Sequence, residues 1–294
     1  MFNFKINSMS VNVYQIVTER IIEELKNGII PWQKPWVGGQ MEAINFVTRK
    51  PYSLLNQILL GKAGEWLTFK QIQDKKACLR VGAKSRIVVY FTLVDKKETK
   101  NDETINKKFP VLKYYRVFHI DDVQGLESKI EQVEFDGDPI DEAENIINDY
   151  LKREKLTFRE GDDKAFYSPL SDVVVVPNRY RFKEVSEYYS TSFHELTHST
   201  MHENRCNRRD ENKNSMFGNF EYSREELVAE IGAAMLCNHA NIDCEKAFKN
   251  SVAYIQSWLE ALNDDPKMIV WASSRAEKAA KYIIGETAEC DDVE

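Results

Sequence analysis

The pentapeptide His194-Glu195-Leu196-Thr197-His198 constrains the fold of this 294-residue chain more than any other feature. It lies in a segment that contains no proline or glycine, which predicts one continuous helix over residues 183–202. Two histidines four residues apart project from the same face of a helix, about 5–6 Å from each other. Their ring nitrogens can therefore bind a single tetrahedral metal ion.

Glu195 follows the first histidine directly, and a carboxylate there can take a proton from a water that the metal activates. This H-E-x-x-H pattern is typical of zinc-dependent peptidases. A purely structural metal site has no use for a general base, so Glu195 favours catalysis. His202 is not a suitable third ligand, because an unbroken helix carries it two turns beyond His194.

A better third ligand is found in the next predicted helix, over residues 222–240, where Glu226 and Glu230 share one face. One carboxylate can bind the ion while the other orients a ligand histidine through a hydrogen bond. We favour Glu226 as the ligand and Glu230 as the orienting partner, because zincins with a glutamate ligand place an acidic or amide partner one turn after it. Glu230 stays an alternative ligand. The expected cofactor is one divalent ion, zinc.

Charge is divided unevenly along the chain. Residues 1–126 contain 20 Lys and Arg against 12 Asp and Glu, whereas residues 127–294 contain 20 against 35. The basic half also holds three of the five tryptophans, which is typical of a nucleic-acid-binding domain joined to another domain. The five scattered cysteines and the lack of an N-terminal signal pattern favour a reducing cytoplasm, and no apolar run is long enough to cross a membrane.

The elements predict an α+β protein of two domains, each of them long enough to bury its own core. Residues 1–126 should form a mixed α+β DNA-binding domain, residues 127–141 an acidic linker, and residues 142–294 a mostly helical zincin-like domain with a small β-hairpin. The first domain begins with a helix over 10–27 that Ser10 caps, and short helices over 52–60 and 69–76 follow. Two strands, 86–94 and 110–120, should flank a polar loop. The second domain should contain helices to about Arg153 and over 183–202, 222–240, 243–263 and 266–283, and a hairpin over 164–178.

Several segments of the sequence resemble a known family. The segments PYSLLNQILL, EWLTFKQ, GAKSRIVVYF and YYRVFHIDDVQGL look like the antirestriction domain of ArdC-type proteins, and SFHELTHSTMHENR with FEYSREELVAEIGAAML looks like the zincin-like domain that follows it. The resemblance covers about residues 11–126 and 140–245. It implies single-stranded DNA binding by the first domain, a gluzincin-like metal site in the second, and protection of incoming DNA from host restriction. Two positions depart from the family pattern: residues 53–56 lack the usual glycine, and Thr197 stands where many relatives have glycine.

The resemblance also indicates which residues bind DNA. Aromatic side chains can stack on unpaired bases, and cationic side chains can follow the phosphates without reading sequence. The candidate DNA-binding residues are Trp32, Lys34, Trp36, Tyr52, Asn56, Lys84, Ser85 and Arg86. Trp32 and Trp36 are expected to be exposed on a loop stiffened by two prolines, whereas Trp66, in the apolar run WLTF, is expected to be buried.

Two functions compete. The first is an antirestriction protein of a mobile element or phage that binds single-stranded DNA and carries a zinc-dependent peptidase, with a restriction component as its possible protein substrate. The second is a non-catalytic protein that coats single-stranded DNA and whose metal site is structural or vestigial. The sequence defines no peptide-binding cleft, and a secreted thermolysin-like peptidase is disfavoured by the basic first half.

Overall fold

The computed structural model describes residues 12–33, 42–100, 103–130, 139–161, 163–208, 220–243 and 252–286. The first half contains α1 (Val13–Lys26), β1 (Ala43–Asn45), α2 (Leu54–Leu60), β2 (Gly64–Thr68), α3 (Phe69–Asp74), β3 (Cys78–Leu79), β4 (Arg86–Lys100), β5 (Glu103–His119) and β6 (Val123–Gln124). The second half contains α4 (Pro139–Glu154), β7 (Thr157–Glu160), β8 (Phe166–Ser168), β9 (Val173–Val176), α5 (Val185–Ser199), α6 (Phe220–His239), α7 (Val252–Asp264) and α8 (Met268–Ile284). This content confirms the predicted α+β class.

The sheet of the first half has the strand order β1-β2-β5-β4, with β1 parallel to β2 and the other pairs antiparallel. The long β4–β5 hairpin pairs continuously from Arg86 opposite Val117 to Lys100 opposite Glu103. The predicted polar loop between the strands is therefore wrong for most of its length. Antiparallel pairing satisfies the backbone N–H and C=O groups whatever the side chains are, so the two strands extend through a charged segment.

The first helix begins later than its sequence suggests. Asn12 caps α1, and its side-chain oxygen accepts a hydrogen bond from the Tyr14 backbone N–H at 3.1 Å. Asn is as good an N-cap as Ser, so the choice of Ser10 was wrong by less than one turn. Ser10 itself lies outside the described residues.

The predicted hairpin of the second half is confirmed, because β8 pairs antiparallel with β9. A third strand, β7, joins β9 in parallel and was not predicted from the sequence. The two parallel strands pair only after the chain has reversed direction through the intervening strand β8, and the local sequence pattern of β7 does not indicate this pairing. The resulting sheet packs against α5 through buried valines of β9.

One hydrophobic core spans the two halves, and each half also buries clusters of its own. The core includes Val17 and Leu25 of α1, Ile58 of α2, Leu227 of α6 and Trp258 of α7. The Thr18 hydroxyl also donates a 2.7 Å hydrogen bond to the Pro266 carbonyl. The domain boundaries stay a prediction, but the described parts of both halves depend on each other for burial. None of the described helices is long and apolar enough to cross a membrane.

Candidate functional site

The metal-binding motif lies where α5 and α6 cross closely. A Cβ atom added to Gly232 of α6 would lie 2.6 Å from Cγ2 of Thr197, a distance that real Cβ atoms do not adopt. The missing side chain of Gly232 therefore provides the space that Thr197 fills. This close approach directs the first turns of α6 toward His194 and His198.

Three ligand atoms converge between these helices. The two histidine Nε2 atoms are 3.1 Å apart. Glu226 places one carboxylate oxygen 3.5 Å from His194 Nε2 and the other 3.4 Å from His198 Nε2. In the part of the chain that the structure describes, these three residues form the group that could hold a metal ion.

The spacing of these atoms fits a small divalent ion. Ligands bound at about 2.1 Å in a tetrahedral site lie about 3.4 Å from one another, which is close to all three observed separations. Two imidazoles and a carboxylate are also a ligand set of catalytic zinc sites, in which a fourth position is left open. The residues present therefore fit a divalent metal ion.

Each histidine has a second carboxylate at its other ring nitrogen. Glu230 lies 3.7 Å from His194 Nδ1, and Glu225 lies 3.6 Å from His198 Nδ1. Both separations are ion-pair distances that are too long for hydrogen bonds. Carboxylates in these positions fix the ring orientation of metal-binding histidines.

Arg208 holds Glu225 in place. Its guanidinium donates to both oxygens of Glu225, at 2.7 and 3.2 Å, and also to the Thr200 hydroxyl and the Thr197 carbonyl. The Arg208 and Glu225 side chains are 4% and 7% exposed, so the pair is buried. Bidentate pairing of this kind gives Glu225 a single orientation toward His198.

Sequence reasoning missed both Glu225 and Arg208. Glu225 precedes the favoured ligand directly, and its acidic character was a usable signal once α6 was predicted. Arg208 follows a turn after α5, and its contact with α6 exists only in the folded chain.

The four glutamates around the two histidines make the site strongly acidic. Burial raises the pKa of Glu226, but the adjacent His194 and His198 outweigh burial and lower it. Burial raises the pKa of Glu230; the opposing effect of His194 is smaller than that of burial, and Glu226 adds a further increase. Burial raises the pKa of Glu225, but Arg208 and His198 together outweigh burial and lower it. A cation bound by these residues would balance this local excess of negative charge.

Glu195 lies beside the ligand group without joining it. The residue is 7% exposed. Within the described residues its carboxylate has no hydrogen-bond partner, while its charge acts on His194, His198 and Glu230. A carboxylate in this state has free lone pairs that can accept a proton.

The candidate DNA-binding residues are scattered. Trp32 is 4% exposed, and its ring packs edge-on against Trp258 at 5.2 Å, so the expectation that it is exposed is wrong. The reason is that α7 covers the segment from which Trp32 projects. Lys34 and Trp36 lie outside the described residues. Trp66 is 2% exposed, as predicted.

Asn56 has a structural role at the edge of the sheet. Its side-chain amide donates to the Val89 carbonyl at 2.8 Å and accepts from the Val89 N–H at 2.7 Å. The buried amide thereby replaces a neighbouring strand at the free edge of β4, and it is not available to a nucleic acid.

The remaining candidates lie near β4 and β5. Lys84 is exposed, Ser85 accepts a 3.1 Å hydrogen bond from Arg116, and Arg86 donates to the Leu60 carbonyl. Tyr52 is half-buried and packs against a small core formed by residues of the same sheet. The exposed or half-buried members of the set therefore border the β4–β5 hairpin.

The chain matches two domain families. Residues 11–118 match the N-terminal domain of anti-restriction factor ArdC, and residues 142–275 match the zincin-like metallopeptidases named MPTase-PolyVal. Among proteins of known sequence, a DNA primase TraC of Escherichia coli is 32% identical over 295 residues, and a second is 31% identical. The chain spans 27% and 20% of the length of these two primases. The protein y4eC of Sinorhizobium fredii is 27% identical, and the chain covers 93% of it.

Two solved structures match over nearly the whole chain. The metal-free crystal structure of the antirestriction protein ArdC from plasmid R388 is 31% identical, with a TM-score of 0.73 over 94% of this chain and 97% of that one. The Mn(II)-bound structure of the same protein is 30% identical, with a TM-score of 0.73 over 95% of this chain and all of that one. This chain belongs to the ArdC family of antirestriction proteins.

Proposed function

We propose that this chain is a cytoplasmic antirestriction protein of a mobile element or phage that binds single-stranded DNA and cleaves a protein with a zinc-dependent active site. The observation that carries the enzymatic part is the convergence of His194, His198 and Glu226 beside a carboxylate, Glu195, that has no hydrogen-bond partner within the described residues. A structural metal site would not require that free carboxylate.

In this proposal His194, His198 and Glu226 hold the ion. Zinc is favoured because imidazole and carboxylate ligands in a tetrahedral arrangement are its usual protein environment. A bound divalent ion polarises a peptide carbonyl and lowers the pKa of water. Glu195 takes the proton from the attacking water and delivers it to the leaving amine. Glu230 and Glu225 orient the two imidazoles.

The DNA-binding part rests on the first half of the chain. Its excess of eight positive charges favours a polyanion, while the excess of fifteen negative charges in the second half opposes one. We infer that single-stranded DNA approaches the sheet of the first half, and that a protein bound to or near that DNA, such as a restriction component, is cleaved by the second half. Membership of the antirestriction family supports a role in which the chain acts on incoming DNA.

The proposal is tested with the full-length protein and two kinds of variant. His194→Ala and His198→Ala should release the ion, whereas Glu195→Gln should retain close to one ion per chain and lose hydrolysis of denatured, fluorescently labelled casein. Metal content is measured by mass spectrometry, which also distinguishes zinc from manganese. Hydrolysis should cease after chelation and return on adding zinc.

Several results would contradict the proposal. Full metal occupancy after loss of both histidines would remove the metal site. Hydrolysis that persists in Glu195→Gln would remove its role as a base. A wild-type protein that holds zinc and binds DNA, but cleaves no protein, would support the non-catalytic alternative.

A further inference from the structure

One face of the β4–β5 hairpin carries a group of exposed apolar side chains. Paired residues of an antiparallel ladder point to the same side, and successive residues alternate between sides. The register therefore places Tyr90, Val94, Phe109, Val111 and Lys113 on one side, which we call the open sheet face. Its four apolar members are 36–44% exposed.

The opposite side of the same sheet is covered. Ile87, Val89 and Leu112 lie on that side by the same register and are buried in the core shared with α1 and α2. Leu67 is buried there against Ile72 of α3. Tyr90 on the open sheet face is 44% exposed, in contrast to these buried residues.

Tyrosine side chains continue this face toward the centre of the sheet. Tyr115 stands opposite Val88, on the same side as Tyr90, and the two tyrosine rings are 5.6 Å apart at their centroids. Tyr52 and Tyr115 both lie half-buried on the small core that contains Trp66. The three tyrosines form a firmly seated aromatic platform, since two of them are packed from below.

The charged residues on the strand segments that carry Tyr90 and Tyr115 are all positive, whereas Tyr52 lines a cavity with Glu42, Glu277 and Glu286. Residues 80–94 contain Arg80, Lys84 and Arg86 and no acidic residue, and residues 108–119 contain Lys108, Lys113 and Arg116 and no acidic residue. Lys113 belongs to the open sheet face itself, directly opposite Tyr90. An aromatic surface on strand segments that carry only cations is complementary to a polyanion with exposed rings.

We propose that the open sheet face, with Tyr90 and Tyr115 as stacking residues and Lys113 as a phosphate contact, is the surface that binds single-stranded nucleic acid. This inference rests on the proposed function and replaces the expected role of Trp32, which is buried. Unpaired bases stack on aromatic rings and the backbone follows the cations, whereas duplex DNA keeps its bases stacked and presents only phosphates.

The hairpin offers matched controls on its opposite side. Tyr114 precedes Tyr115, is 37% exposed compared with 44% for Tyr90, and points away from the open sheet face. Lys108 is likewise exposed on the opposite side from Lys113. Each pair has the same residue type and similar exposure, and differs in the face that it occupies.

The experiment is a fluorescence-anisotropy titration of the full-length protein with a labelled oligothymidylate. Tyr90→Ala should weaken binding by about 5- to 100-fold, since stacking on one aromatic is worth about 1–3 kcal/mol. Tyr90→Phe should retain wild-type affinity because the ring is kept, and Tyr114→Ala should stay within about twofold. Lys113→Ala should reduce the slope of affinity against salt by about one unit, and Lys108→Ala should not.

The alternatives give different results. Equal losses for Tyr90→Ala and Tyr114→Ala, or no loss for either while the wild type binds, would overturn this surface but leave single-stranded DNA binding by the chain intact. Absence of wild-type binding at low salt would instead remove the DNA part of the proposed function. Unchanged DNA affinity with a change in sedimentation of Tyr90→Ala would assign the face to self-association and overturn the inference.

Discussion

The different roles assigned to Glu226, as metal ligand, and Glu230, as orienting carboxylate, can be tested quantitatively. Glu226 lies within 3.5 Å of both Nε2 atoms, whereas Glu230 approaches only the Nδ1 atom of His194 at 3.7 Å. Loss of an orienting carboxylate costs about 10–100-fold in metal affinity, or about 1.4–2.7 kcal/mol. Loss of Glu226 removes one of three protein ligands, so Glu226→Ala should weaken binding by more than about 100-fold.

The measurement is a competition between metal-depleted protein and a fluorescent zinc chelator at fixed pH. Glu226→Gln and Glu230→Gln serve as controls that keep the side-chain volume, and circular dichroism checks that the helices remain. One Glu230 oxygen is buried without a hydrogen-bond partner within the described residues, so Glu230→Gln should not destabilise the fold. If Glu230→Ala empties the site and Glu226→Ala does not, the assigned roles are reversed.

Three further predictions concern stability. Glu225→Ala should lower the free energy of unfolding by about 3–5 kcal/mol, because Arg208 is then buried without its anion. Adding Arg208→Met should restore much of this loss in urea unfolding, and additive losses would contradict the coupling. Trp32→Ala should lower the free energy of unfolding by about 3–5 kcal/mol, measured by thermal unfolding, and leave the DNA affinity of the folded protein unchanged. Weaker DNA binding without destabilisation would instead support the predicted role of Trp32 in binding DNA. Arg205 lowers the pKa of Asp172, so this pair stabilises the fold above the ordinary carboxyl pKa and loses its effect as pH falls through the lowered value. Asp172→Asn should therefore lower the free energy of unfolding by about 1–2 kcal/mol at pH 7 and by progressively less below about pH 4. A loss of stability that does not depend on pH would refute this linkage.

The helices of the second half could be predicted because their signals are local. Pro139 at the first position of α4 and the 3.6-residue period of its apolar residues are readable without a partner. Strand β7 could not be predicted, since the one strand that pairs with it among the described residues follows it by more than ten residues. The extension of β4 and β5 through a charged segment was missed for the same reason: pairing overrides side-chain polarity.

For the candidate DNA interface, too, the sequence indicated one part and the tertiary structure decided the other. Composition correctly located the basic and aromatic half of the chain, but it could not distinguish a tryptophan in the core from a tyrosine at the surface. Trp32 and Tyr90 are both aromatic residues near lysines in the sequence, yet one is 4% and the other 44% exposed. Which of them meets solvent depends on whether another helix packs over it.

What the sequence determined by itself is the pair of metal-binding imidazoles, because the helical period alone brings His194 and His198 to one face. It also narrowed the third ligand to two glutamates one turn apart. Only the tertiary structure decided the rest: the approach of α6 at Gly232 brings Glu226 between the two Nε2 atoms, and Arg208 fixes Glu225 beside His198. These contacts join segments distant in the chain, and their distances are set by how the two helices pack.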